Sequence, residues 1–166
     1  VEIGPAPVIV GERINPTGKP KLKEALRSAN MDYILAEGAA QEDAGAHILD
    51  VNVGLPGVDE PEMLERAVCA LQSVTGLPLQ LDSSDPRALE RAMRRYNGKP
   101  MINSVSAKAE SMAAVFPLVK KYGGVVVGLA LDEGGIPETA EGRVECAELI
   151  YDTAAMLSAL ALTEFI

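Results

Sequence analysis

Tryptophan is absent from the 166 residues, and Phe and Tyr together make up only 4% of them. There is one His and there are two Cys. With no C-x-x-C pair and no His cluster, a zinc site of ordinary spacing and a disulfide scaffold are both excluded. Cys69 and Cys146 are read instead as reduced thiols buried within helices. Positive charge is scarce as well, since 15 Lys and Arg stand against 24 Asp and Glu for a net charge of -9. A chain that acidic, without a basic cluster, does not hold nucleic acid or an anionic membrane by electrostatics. Long apolar runs are missing too. The longest, Val125–Leu131 and Ala154–Leu162, fall well short of the ~20 residues of a membrane span. The first ten residues, VEIGPAPVIV, carry no basic segment of the kind that opens a secretory signal. A cytoplasmic protein is expected, and the missing initiator Met suits a piece of a longer one.

What remains is 48% apolar, enough for a folded core. Five short runs read as strands: Ala6–Gly11, His47–Val53, Leu77–Leu81, Pro100–Val105 and Val125–Leu131. Near-continuous apolar runs of this length suit a parallel sheet buried on both faces. Helical spacing fills the gaps. Leu64, Ala67, Val68 and Leu71 recur at i, i+3, i+4 and i+7 behind Pro61, a residue suited to a first turn. Ser84 or Asp85 caps a helix that opens at Pro86 and carries Leu89, Ala92 and Met93. Met112, Val115, Phe116 and Val119 mark another, closed by Gly123 and Gly124. Strict strand–helix alternation predicts an α/β protein with parallel strands.

Two forms of that class compete, an open doubly wound sheet and a (β/α)8 barrel. The segment after the first strand, GERINPTGK, is neither G-x-G-x-x-G nor a Walker A loop, which disfavours a nucleotide-binding open sheet. The strand ends favour the barrel. Glu12 and Asn15, Asp50 and Asn52, Asp82 to Ser84, Asn103 and Ser104, and Asp132 and Glu133 follow the five runs in turn. Barrel enzymes build their sites from the C-terminal ends of their strands. Each residue also has a plainer use. Asp82 can cap the next helix, Asn15-Pro16-Thr17-Gly18 can be a turn, and a lone Asp50 within a sheet needs a partner, for which Asn15 is one choice. Lys19, Lys21 and Lys23 read as a solvated run, and His47, at the opposite end of its strand, as structural. A full barrel takes about 250 residues, so five strand–helix units leave three strands unaccounted for.

Five segments, GERINPTGK (11–19), ILDVNVGLPG (48–57), PLQLDSSDP (78–86), INSVSAK (102–108) and LALDEGGIP (129–137), resemble in order the motifs of the pterin-binding methyltransferases. That family includes the folate-binding domain of cobalamin-dependent methionine synthase and the methyltetrahydrofolate:corrinoid/iron–sulfur protein methyltransferases. Dihydropteroate synthases share the barrel. They carry Ser-Thr-Arg-Pro-Gly after the second strand, where this chain has Val53-Gly54-Leu55-Pro56-Gly57, and favour Ile-Asn-Asp where it has Ile102-Asn103-Ser104. The resemblance implies a TIM-barrel domain, present here as about its first five βα units over residues 1–166. It implies a pterin site at the strand ends for 5-methyltetrahydrofolate, whose N5 methyl passes to the cob(I)alamin of a corrinoid protein or domain. Carried over by motif, Asp82 and Asn103 hold the ring, Asn15, Asp50 and Asn52 complete the near side, and Ser104 and Asp132 lie at the rim. Other family groups, an Asp from strand six and an Asn from strand seven, have no match before the sequence ends. A homodimer is expected from the family's habit of pairing. The alternatives are a non-catalytic fragment that binds folate weakly or serves assembly, and a dihydropteroate synthase-like enzyme.

Overall fold

The computed structural model describes residues 1–4 and 6–157. Most of the Ala154–Leu162 apolar run therefore lies outside the described residues. Two compact units divide the chain, Val1–Pro100 and Met101 onward.

The first unit holds β1 (Val10–Ile14), α1 (Pro20–Arg27), α2 (Met31–Asp43), β2 (Ile48–Val51), α3 (Glu60–Leu71), β3 (Leu79–Asp82) and α4 (Pro86–Arg95). Its strands are parallel, β2 lying between β1 and β3. Side chains alternate along a strand, and that alternation sorts the residues by chemistry. Leu49, Val51, Leu79 and Leu81, all fully buried, share the face that meets the helices; a Cβ at Gly38 of α2 would lie 3.6 Å from Leu49 Cδ1. Asp50, Asn52, Gln80 and Asp82 share the other face. On β2 and β3 the helix side is thus apolar while the other side carries these four polar residues beside Ile48, where the sequence suggested near-continuous apolar strands.

The helices close over the apolar side for readable reasons. Asp59 and Asp85 are the N-caps of α3 and α4, accepting from the amides of Glu62 and Arg87. Met63, Leu64, Ala67, Val68 and Leu71 form the buried stripe of α3, and Ala88, Leu89, Ala92 and Met93 that of α4. Cys69 falls off that stripe and is exposed, contrary to the expectation from sequence; Cys146 is buried. At the other end of β3, the Tyr96 hydroxyl accepts from the Leu79 amide at 2.9 Å. His47 is structural as expected, its Nδ1 accepting from the amide of Ile9.

Two elements differ from the sequence reading. The first strand lies at Val10–Ile14 rather than Ala6–Gly11, because the Ile9 carbonyl begins the pairing with residues 47 and 48 and Ile14 resumes it opposite Val51, past a register shift at Glu12 and Arg13. The lysine-rich stretch after it is helical, α1 burying Leu22, Ala25 and Leu26 at i, i+3 and i+4 behind Pro20.

The second unit holds β4 (Met101–Ser106), α5 (Ala109–Tyr122), β5 (Val125–Leu129) and α6 (Ala140–Met156). The strands β4 and β5 are parallel, with a register shift between Asn103 and Val105. Met112, Val115, Phe116 and Val119 are the buried stripe of α5, which ends at Gly123 with φ +80°. Its N-terminus has no cap of its own side chain; the Glu133 carboxylate, from the loop after β5, accepts from the Ala109 amide at 3.0 Å.

Candidate functional site

The polar face of the first unit is built in two rungs. Asp50 and Gln80 are register partners on β2 and β3. The Gln80 amide donates to Asp50 Oδ1, and both residues are buried, at 1% and 8% exposure. Two residues further along each strand, the Asn52 amide donates to Asp82 Oδ2 at 2.9 Å. Each rung joins one carboxylate to one carboxamide, and the two swap strands between rungs. An amide hydrogen bond orients the carboxylate it serves and offsets part of its desolvation.

The upper rung is anchored further. Asn52 Oδ1 accepts from the Gly54 amide at 3.0 Å. Asp82 is half-buried, and burial pushes its carboxyl above the usual carboxylate range; the Asn52 bond opposes that shift and the nearby Glu12 charge adds to it. Next along the chain, Ser83 is buried, donates its hydroxyl to Glu60 Oε1 and accepts from the Asp85 amide at 3.0 Å. A cavity of about 460 Å³ opens here, lined by Asn52, Gly54, Glu60, Ser83 and Ser84 among others. Asn15 lies just past β1, its amide donating to Glu12 at 2.8 Å and its oxygen accepting from the Thr17 amide. It is therefore a turn residue tied to Glu12, and the partner that Asp50 needed is Gln80.

In the second unit, Asn103 and Ser104 are half-buried within β4 rather than at its end, joined by a cis peptide bond beside the register shift. Asp132 folds the loop after β5. Its Oδ1 accepts from the Gly134 amide at 2.7 Å, and its backbone pairs with that of Gly135. Asp132 Oδ2 lies 3.9 Å from the thiol of Cys146, whose pKa is raised by burial and then by that carboxylate. Gln80 and Glu60 are not singled out by the sequence, and Ser83 enters there only as one of the polar residues at the end of the third run. The signal for Gln80 was its position two residues before Asp82, on the same face. No cluster of three or more His, Cys, Asp or Glu among the described residues is arranged to hold a metal ion, and no helix among them is long and apolar enough to cross a membrane.

Comparison with known proteins adds three findings. The family described as pterin binding enzyme matches residues 11–160. Methionine synthases of Mycobacterium tuberculosis and Mycobacterium leprae are 31% and 30% identical over 150 and 153 residues, covering 87% and 89% of this chain but 13% of each relative. Among solved structures, the 7,8-dihydropteroate synthase of Vibrio fischeri ES114 aligns with a TM-score of 0.67 at 14% identity, covering 95% of this chain and 59% of that one. A Xanthomonas albilineans dihydropteroate synthase aligns at 0.62 and 23%, covering 96% and 57%. Identities this low carry the fold alone. They support the α/β barrel class expected from the strand ends and the family motifs.

Proposed function

Since the chain belongs to the pterin binding enzyme family, we propose that it binds the pterin of 5-methyltetrahydrofolate at the C-terminal ends of its strands and serves transfer of the N5 methyl group to a corrinoid. On this reading residues 1–166 are part of one pterin-binding barrel domain. The observation that carries the proposal is the Asn52–Asp82 rung, a half-buried carboxylate held by one oxygen above a second carboxylate–amide pair. A pterin edge offers ring and exocyclic N–H donors beside ring acceptors. Carboxylates and carboxamides are the side chains that read such an edge.

Asp82 would accept from those donors, with Asn52 fixing its plane. Asp50, one rung lower, is engaged by Gln80 and supports the floor of the site. Asn103 is assigned to the ring, Asn15 to the near side, and Ser104 and Asp132 to the rim by motif alone. The acceptor, the cob(I)alamin of a partner protein or domain, supplies the nucleophile when it is bound. This chain's own task is to hold and orient the pterin.

The chain spans 13% of the methionine synthases it matches, so corrinoid transfer is a proposal about a larger assembly. A dihydropteroate synthase-like condensation is the competing reading, since the solved structures of like fold carry that name. Isothermal titration with 5-methyltetrahydrofolate tests binding directly, and heat is the right probe for a chain without Trp. Stoichiometric micromolar binding, together with methyl-dependent bleaching of the cob(I)alamin absorbance, is expected. Condensation of p-aminobenzoate with a pterin diphosphate in place of that bleaching would overturn the methyltransferase reading.

A further inference from the structure

The loop between β2 and α3 grips the end of β3 twice. At its start, Asn52 holds Asp82. Where it runs into α3, Glu60 accepts the hydroxyl hydrogen of Ser83, the next residue along. Glu60 is the first residue of α3 behind the Asp59 N-cap, where the helix dipole favours a carboxylate. Gly54 sits between the two grips. A Cβ there would lie 3.3 Å from Glu60 Oε2 and 3.4 Å from Asn52 Oδ1, so the two side chains close around a position with no side chain. Ser83 is 7% exposed, with its donor spent on Glu60 and its oxygen accepting from the Asp85 amide.

We infer that Glu60 is a positioning residue for the pterin site, acting through Ser83 to set the backbone on which Asp82 stands. The inference rests on the pterin reading. Asp82 needs its plane fixed to meet a flat ligand edge. Asn52 constrains the carboxylate itself, while the Glu60–Ser83 bond constrains the peptide that follows it. With that bond removed, the Ser83 hydroxyl loses its buried acceptor and the strand end is free to rotate. Asp82 then meets the ligand from a spread of settings, and affinity falls through the setting of Asp82.

The test is titration of wild type, Glu60→Ala, Glu60→Gln, Ser83→Ala and the Glu60→Ala/Ser83→Ala pair with 5-methyltetrahydrofolate, at a temperature where thermal unfolding shows each to be folded. Glu60→Ala and Ser83→Ala should each weaken binding about tenfold, the scale of one hydrogen bond to a charged acceptor. The double variant should be no weaker than either single one, because both remove the same bond. Glu60→Gln keeps an acceptor for the hydroxyl and should recover most of the affinity, which a merely structural role for the helix start does not require. Wild-type affinity in Glu60→Ala, equal losses in Glu60→Gln and Glu60→Ala, or multiplying losses in the double variant would each overturn the inference. Should Glu60→Ala not fold, Ser83→Ala against Glu60→Gln decides the same question. Absence of binding by wild type sinks the pterin reading itself. Wild-type binding that Asp82→Asn weakens and Glu60→Ala leaves intact sinks only the role of Glu60.

Discussion

Replacing Asp82 with Asn should move binding and stability in opposite directions. Asp82 is half-buried, and burial, the largest cause, raises its carboxyl pKa in the folded chain. A carboxylate whose folded pKa lies above its unfolded value stabilises the fold in its protonated form. Stability is greatest below the unfolded pKa and is lost as pH rises through the folded one. Above the folded pKa the penalty is in place, and an uncharged amide removes it. Asn at this position can still accept from Asn52, so the rung survives. What is lost is the charge-assisted acceptance of the ligand's N–H groups, roughly 2–3 kcal/mol for such a bond, or about 30- to 150-fold in Kd. Titration calorimetry should record that loss while the thermal midpoint stays level or rises. Wild-type affinity should also fall as pH drops through the raised Asp82 pKa, at a pH higher than an ordinary carboxylate would give, and Asp82→Asn should lack that step. A variant with unchanged affinity, or one whose weaker binding comes with a lower midpoint, would refute the reasoning.

Gln80→Met removes the amide that serves the buried Asp50; a loss of roughly 1.5–3 kcal/mol is expected, read as a drop of several degrees in the circular-dichroism melt, and Asp50→Asn in the same chain should reduce it. Ala29, the one non-glycine residue at positive φ among those described, sits at +51° after α1, so Ala29→Gly should raise stability by about 0.5–1 kcal/mol in chemical denaturation. Thiol titration of the native protein should modify exposed Cys69 promptly and Cys146 slowly, since burial and then Asp132 hold the Cys146 thiol above its usual pKa; equal rates would contradict the described packing.

The parts of this molecule that the sequence revealed are those where local chemistry and tertiary packing agree. Asp85 stands one residue before α4, and Pro61 and Pro86 lie in the first turns of α3 and α4. The apolar stripes of α3, α4 and α5 follow the helical repeat, and Asp50, Asn52 and Asp82 lie together as polar positions near strand ends. Where the reading slipped, a competing pattern masked the geometry. Ala6–Val10 is more apolar than the strand that follows, and β1 is spelled VGERI because Glu12 and Arg13 stay exposed. Lysines hid the short apolar stripe of α1, although Pro20 and the spacing of Leu22, Ala25 and Leu26 mark it. Gln80, flanked by leucines, carries no local signal of its own, and only the register of β2 and β3 sets it opposite Asp50. Cys69 sits between Val68 and Ala70 in sequence, but one helical step turns it outward. The Glu60–Ser83 bond spans 23 positions, and no local pattern announces a contact of that range.

The phenol of Tyr96, met above at the start of β3, acts as a stop on that strand's axial travel. It answers the Leu79 amide from the end of α4, so β3 is indexed at its entrance while the polar residues stand at its exit. Alternation makes that indexing unforgiving. A slip of one residue against β2 would turn Leu81 toward Asn52 and carry Asp82 to the helix side. Only Gln80 and Leu81 separate the stop from the carboxylate, a lever short enough that a hydroxyl at the strand's entrance sets the face on which Asp82 stands at its exit.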